Sequence, residues 1–489
     1  MLTRKEFREI VRVGILLTTE KDRGRLLSNI ISTGMELTNC DGGTLYMYNG
    51  DSLEFNIMKI ISKGVSRGEK DDVIGLPHIG MKEENVCAYS AIHRELVNIE
   101  DAYCSDRYNF EGTRAYDKLN GYRTKSMLVV PMVDMDDNII GVIQLVNAMD
   151  DEGSIVPFSE DMEFVLRSLG SQAAVSVSNM MYMEEVKCQM HSFVDAFAMA
   201  VDKRTPYNGS HTRKVTRYAI MIADMINRLH REGKEEEYFD ENRKEQLELA
   251  ASVHDIGKMV VPLEIMNKAT RLDGRDAVIE ERYKLLDAYY EIDFLKGRIT
   301  EDEFRDRHNE LKNILTFIRN IDGQGVLRED IIDRVHDISK KVYITQSGES
   351  IRYLTEYETE CLSIRKGTLT DKERIEMENH VVMTKTILDK VHFNSHYSNV
   401  NKYASTHHEY LDGTGYPMGL KADELELESR ILTVVDIYDA LTSADRPYKK
   451  PITPGRSFES LHNMADEGKI DGHLVNILQR AVCQEGQAD

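Results

Sequence analysis

Apolar positions along the first third of the chain change period several times. Between residues 21 and 37, Leu26, Leu27, Ile30, Ile31, Met35 and Leu37 recur at the three- and four-residue spacing of a helix with one buried face. The triplet Asp41-Gly42-Gly43 then reads as a break in the chain. Stretches 44–48 and 53–61 have strand character around the turn Asn49-Gly50-Asp51. Stretches 126–133 (SMLVVPMV) and 139–146 (IIGVIQLV) enclose a polar turn at 134–138, which predicts a β-hairpin. From 159 to 200 there is no proline and one glycine, Gly170. Helical spacing runs through Phe164, Leu166, Leu169, Ala173 and Val177 and on to Val186 and Met190, predicting one long helix or two in succession. Its Met-rich stripe reads as packing surface.

Beyond about residue 190 the pattern is almost wholly helical. Residues 273–320 are dense in charge and read as two amphipathic helices parted at Lys296-Gly297-Arg298. Thr300-Glu301-Asp302-Glu303 opens the second with a capping-box pattern, and Phe304, Leu311, Leu315 and Ile318 share one face. The expectation is a helical hairpin projecting as an arm.

A chain of 489 residues, 41% hydrophobic, has room for roughly three domains and more than one core. The balance of 62 basic against 84 acidic residues, a formal charge of −22, disfavours nucleic-acid polymers as partners. A small anionic substrate is compatible with it, because metals or a few cations can invert the field of a cleft. No stretch approaches the ~20 apolar residues of a membrane span, and Arg12 and Gly14 interrupt the early apolar run, so neither a membrane anchor nor a signal peptide is expected. Six scattered cysteines without a CxxC argue against thiolate metal sites and for the cytoplasm.

The histidines carry the chemistry. His211, His254-Asp255 in VHDIGK, His380, His407-His408-Glu409 and Asp436 in VVDIYDAL supply imidazoles and carboxylates suited to Fe, Mn or Zn. Ligands spread over several helices can converge in one bundle interior. Lys258 lies one turn beyond His254 and reaches the same place, and Gly257 permits close approach. His308 and His336, inside the charged region, read as surface or packing residues.

The string HHEYLDGTGYP, ending in Gly415-Tyr416-Pro417, resembles the signature of the HD-GYP subgroup of the HD phosphohydrolase superfamily. The likeness runs from about 194 to 450, through RILTVVDIYDALTSADRPYKK. That family is known for bacterial phosphodiesterases of cyclic dinucleotides, chiefly cyclic di-GMP. The resemblance implies that His211, His254, Asp255, His380, His407, His408 and Asp436 hold two divalent metal ions, Fe or Mn, with Asp255 bridging them. It implies Lys258 as the catalytic cation on the phosphate, Arg446 and Lys449 as phosphate contacts, and Tyr416 and Pro417 as the loop closing the substrate side. Three departures matter. Tyr207 stands where some members carry a Glu for a third metal, which favours two metals. The segment 442–448 is one residue longer than the usual TSDRPY, which leaves the aim of Arg446 open. His254 and His380 are about a hundred residues further apart than in compact members, so 269–366 reads as an insertion free of ligands; long surface excursions cost little entropy.

Upstream, NIEDAY (98–103), GYRTKSMLVVPMVDMDDNIIGVIQLVNA (121–148) and SEDMEFVLRSLGSQAAVSVSNM (159–180) resemble a GAF domain, a sensor fold that binds cyclic nucleotides, haem, bilins or nothing detectable. The expected protein is therefore multidomain. An α+β GAF domain occupies 1–183, a connecting helix 159–200, and an all-α HD-GYP domain with a large helical insertion 190–489. Its expected activity is metal-dependent hydrolysis of cyclic di-GMP to linear pGpG and on to GMP. The alternatives are 3′,3′-cyclic GMP-AMP or another nucleotide as substrate, and a non-catalytic signalling module. The expected setting is a cytoplasmic homodimer paired along the connecting helix, with a small-molecule ligand of unknown identity in the GAF domain.

Overall fold

The computed structural model describes residues 14–20, 22–69, 74–204, 210–443 and 452–485. Two compact units make up the chain, Met1–Gln189 and Met190–Asp489.

The first unit is built on an antiparallel sheet. α1 (Arg23–Thr38) is opened by Asp22, whose carboxylate accepts from the Arg25 amide, and closed by Asn39 at φ 45°. β1 (Cys40–Tyr48) and β2 (Ser52–Ile60) pair next, followed by β3 (Val65–Arg67), β4 (Ile79–Gly80), α2 (Val86–His93), β5 (Val97–Ile99) and α3 (Glu111–Asn120). The expected hairpin is β6 (Met127–Val133) with β7 (Ile139–Met149), and β8 (Ile155–Val156) pairs with β7. The sheet order is β3-β2-β1-β7-β6-β5, so β1 and β7 are central. Along β6, Leu128 and Val130 join the core shared with Leu27, Ile31 and Leu166, while Met127 and Val129 join the opposite core with Val86 and Phe110. That alternation is the period of a strand covered on both faces.

Asp41-Gly42-Gly43 does not break the chain; it lies inside β1. A Cβ at Gly43 would meet Ile31 Cγ2 at 2.9 Å, and one at Gly42 would meet Val146 Cγ2 at 2.8 Å. Here glycine serves close layer packing rather than a turn.

α4 (Glu160–Arg204) is a single helix of 45 residues, and the division between the units falls within it. In the second unit, α5 (His211–Arg231), α6 (Glu241–Val253), a tight turn at Ile256–Met259 and α7 (Leu263–Met266) come first. α8 (Asp276–Leu295), α9 (Glu301–Asp322), α10 (Glu329–Ser339), β9 (Val342–Ile344), β10 (Ser350–Arg352) and α11 (Glu356–Leu362) come next, then α12 (Asp371–Leu388), α13 (Val400–Ala404), α14 (Leu427–Thr442), α15 (Pro454–Asp466) and α16 (Gly472–Glu485). Thr300 caps α9 through a full capping box with Glu303.

The unit is almost wholly helical, as expected, with one short hairpin, β9 and β10, whose β-branched residues and Gly348, at φ 87°, have the character of strands and a turn. One expectation changes: α8–α9 is not a solvated arm. Leu272, Ile279, Leu286, Leu311, Ile318, Val335, Tyr353 and Leu362 form a core of their own, separate from the core of α5, α6 and α13–α16. The fully buried Arg271 guanidinium donates to the carbonyls of Ile321, Asp322 and Gln324, satisfying the end of α9.

Candidate metal centre

His211 begins α5, His254 and Asp255 come directly after α6, His380 lies within α12, His407 and His408 come shortly after α13, and Asp436 lies within α14. The fold brings all seven together. His211, His254 and Asp436 place ligand atoms within 4.8 Å of one another, as do His380, His407 and His408, and as do His254, Asp255 and His407. Asp255 faces both histidine sets. Its Oδ2 lies 3.3 Å from His211 Nε2 and 3.4 Å from His254 Nε2. Its Oδ1 lies 3.5 Å from His380 Nε2 and 3.9 Å from His407 Nε2. Asp436 also spans the sets, with Oδ1 3.3 Å from His211 Nε2 and Oδ2 3.9 Å from His408 Nδ1.

Four of these rings are fixed from behind. The Nδ1 atoms of His254, His380 and His407 lie 2.7, 2.6 and 2.7 Å from the carbonyls of Ala251, Met377 and Ala404, each three residues earlier. A carbonyl only accepts, so each Nδ1 carries the proton and each Nε2 presents a lone pair. His211 Nδ1 is held 2.7 Å from Asp439 Oδ2. The four Nε2 atoms and Asp255 Oδ1 are buried, and among the described residues none finds a hydrogen-bond partner. Buried polar atoms are seldom left so. Five converging on one place, all N or O and mostly imidazole, fit borderline divalent cations.

Charge in the centre is divided. Burial works against ionising Asp255, yet Lys258, His254 and His211 hold its carboxyl well below the usual carboxylate range. Asp436 is likewise kept ionised against burial by His211 and His408. Burial also opposes charge on His211, but Asp255, Asp436 and Asp439 together raise it well above the ordinary imidazole value. Burial, with the neighbouring imidazoles, drives His407 well down, and burial lowers His408 to about 3. The carboxylates thus draw positive charge into the site while the second histidine set stays neutral and able to ligate.

Backbone contacts too close for any side chain hold these segments. A Cβ at Gly257 would lie 1.9 Å from the His380 carbonyl, so glycine lets the turn after His254-Asp255 dock on α12. Thr384 locks that contact by donating to the His254 carbonyl at 2.9 Å and accepting from the Gly257 amide at 3.0 Å. Lys258 ion-pairs with Asp255 through Oδ2. Glu409 is not aimed at the centre; its buried carboxylate accepts from the amides of Met418 and Leu420 and so folds the loop containing Gly415. The Tyr416 ring packs on His408 with centroids 4.8 Å apart, and its peptide bond to Pro417 is cis. Tyr207, Arg446 and Lys449 lie outside the described residues. Asp439, Thr384 and the holding role of Glu409 were not read from sequence. Asp439 had the signal of standing one turn after Asp436, and Thr384 one turn after His380.

Fold and site together define an α+β sheet unit followed by a helical unit with a His/Asp centre, and family comparison agrees. The GAF domain model matches residues 22–177, and two HD domain models match 208–318 and 358–474. The chain therefore carries a GAF domain followed by an HD domain. The first HD match contains His211, His254 and Asp255, and the second the remaining four residues of the centre. A 3′3′-cGAMP-specific phosphodiesterase of Vibrio cholerae is 39% identical over 106 residues, 21% of this chain and 22% of the relative. A cyclic di-GMP phosphodiesterase of Thermotoga maritima is 35% identical over 108 residues, 22% and 28% of the respective chains. This chain thus spans between a fifth and a third of the length of those relatives. A GAF domain/HD domain protein from Geobacter sulfurreducens of known structure aligns at 19% identity with a TM-score of 0.26, covering 34% of this chain and 98% of that one. Among the described residues, no helix is long and apolar enough to cross a membrane.

Proposed function

We propose that the protein is a metal-dependent phosphodiesterase that opens a cyclic dinucleotide, with cyclic di-GMP as the substrate. The observation that carries this reading is the convergence of four buried Nε2 atoms, none in a well-formed hydrogen bond, on the two oxygens of Asp255. His211, His254 and Asp436 would hold one cation, His380, His407 and His408 a second, and Asp255 would bridge them. Divalent cations held there supply Lewis acidity and lower the pKa of a bound water. Asp439 keeps His211 in orientation, and the carbonyls behind the other rings fix their tautomers. Lys258, once Asp255 is engaged with cations, neutralises charge gathering on the phosphoryl oxygens. Tyr416, packed against His408, walls the substrate side. In-line attack of a water oxygen on phosphorus, with the P–O3′ bond breaking and the ribose 3′ oxygen leaving as a hydroxyl that takes up a proton, would open cyclic di-GMP to linear pGpG; a second water spent in the same way on pGpG would give GMP.

3′,3′-cyclic GMP-AMP is the competing substrate, since relatives of both kinds are similar over the same modest share of the chain. The GAF unit supplies an input. It holds a cavity of about 720 Å³ lined by Tyr46, Phe55, Tyr116, Tyr122, Thr124 and Gln144, a size and lining that suit a small-molecule ligand. Val175, Tyr182 and Val186, exposed at intervals of seven and four along α4, support pairing of two chains there. The test is a panel of both dinucleotides and linear pGpG with Fe(II)- and Mn(II)-loaded protein, read by product chromatography. Turnover of cyclic di-GMP to pGpG is expected. Metal-loaded protein that cleaves neither cyclic dinucleotide overturns the reading.

A further inference from the structure

α8 is apolar on two sides. Ile279, Tyr283 and Leu286 point into the core of the inserted module. Val278, Leu285, Ile292 and Leu295, away from that core, are 58%, 47%, 39% and 73% exposed. A helix that covers a core with one face ordinarily turns charge outward on the other. These four recur at intervals of seven, seven and three residues, the seam of a two-helix coiled coil. Ala288, exposed and small, occupies the seam position between Leu285 and Ile292.

The charges beside the seam bear on what covers it; Lys284 is paired within α8 to Glu281 at 2.7 Å, but both side chains are largely exposed, so that pair is weak and can exchange for one across an interface. Lys284 and Glu291 each precede a seam residue by one place, so they share one edge, seven residues apart and opposite in sign. When two identical helices pair antiparallel, like edges run together and Lys284 of each chain meets Glu291 of the other. The axis then passes beside Ala288, where a small side chain lets the helices approach. Parallel pairing would instead stack Glu281 on the same residue of the other copy inside the seam and set Lys284 against Tyr289, which packs on its own module core. The four apolar side chains leave on the order of 400 Å² per chain, so two copies with the stems of Lys284 and Glu291 approach the ~1,000 Å² of a weak specific interface.

We propose that the outer face of α8 is a docking surface for α8 of a second copy of this chain, antiparallel about a two-fold axis at Ala288. The contact stands apart from the hydrolytic reading and from pairing along α4. Ala288→Cys in the full chain tests it by disulfide formation under mild oxidation. The unaltered protein controls for the exposed Cys104, Cys188 and Cys483, and Asp302→Cys for random collision. The Ala288→Cys variant should give a cross-linked dimer at several times the yield of the Asp302→Cys variant. Adding Lys284→Glu or Glu291→Lys to Ala288→Cys should lower that yield several-fold, and adding both should restore it, because the exchange rebuilds the pair. All these positions are exposed, and melting temperatures check that the variants fold. Equal yields from Ala288→Cys and Asp302→Cys, or a double exchange no better than either single reversal, overturn the proposal.

Discussion

At the scale of single residues, the centre separates groups that would hold metal from groups that hold those groups. Asp255→Ala removes the oxygens facing both histidine sets and should abolish bound metal and turnover together, with far-UV circular dichroism unchanged. Lys258→Ala should keep the metal, measured by elemental analysis, and lose roughly 10²–10³-fold in kcat, as for one preorganised charge stabiliser. Asp439→Asn keeps the shape beside His211 but loses the charge, and should weaken metal affinity on the order of 10–100-fold in a chelator competition. Residue types and order were readable in the sequence here, because His and Asp stand out in a chain otherwise patterned for packing. Asp439 was not singled out, since an aspartate one turn from another reads as an ordinary solvated pair until the fold buries it.

At the scale of elements, α4 ends against the ligand-bearing segments of its own unit. Asp202 accepts from Thr212 at 2.9 Å, next to His211, and Arg204 donates to the carbonyl of Lys258 at 2.7 Å. A helix held at its end in this way transmits rotation, which a flexible linker would absorb. Inserting two or four residues near Glu184-Glu185 turns the downstream part of the helix by roughly 200° or 40° at 3.6 residues per turn. The two insertions should alter basal turnover unequally at constant metal content, and in an Arg204→Ala background that inequality should shrink. Equal turnover in both insertions would refute transmission along α4. The helix itself was legible from its unbroken periodicity; its grip on Thr212 and Lys258 was not, because both partners are distant in sequence or carry no pattern.

At the scale of the molecule, residues 269–366, which we propose to be an inserted module although the first HD match runs on to residue 318, enter and leave at one place. Thr368 donates to the carbonyl of Lys268 at 3.2 Å, and the buried Lys268 amine pairs with Glu373. Cutting out 273–320 alone would strip α8 and α9 from the core they share with Val335 and Tyr353. The informative deletion is therefore 269–367, replaced by a short Gly/Ser linker. Loop closure costs little at that length, so the shortened protein should fold and keep its metal. Loss of metal from a folded deletion protein would place the module inside the catalytic unit. Charge density made the hairpin visible in sequence but hid its second role, because a core-forming stripe is narrow and charged neighbours outnumber it.

Legible from the amino-acid sequence alone were the first helix, the long helix, the central hairpin and the supply of metal-type ligands, since these depend on periodicity, turn chemistry and residue type over short stretches. Tertiary structure decided what depends on residues far apart. It set Asp255 between two histidine sets carried by α5, α12 and the segments that follow α6 and α13, and placed Gly42 and Gly43 inside a strand because layers pack there. It turned Glu409 away from the centre into the loop it folds, and gave α8–α11 a core of their own. Local pattern states what a segment can become, whereas burial and close contact select which of its groups meet, and chemistry at this centre depends on that meeting.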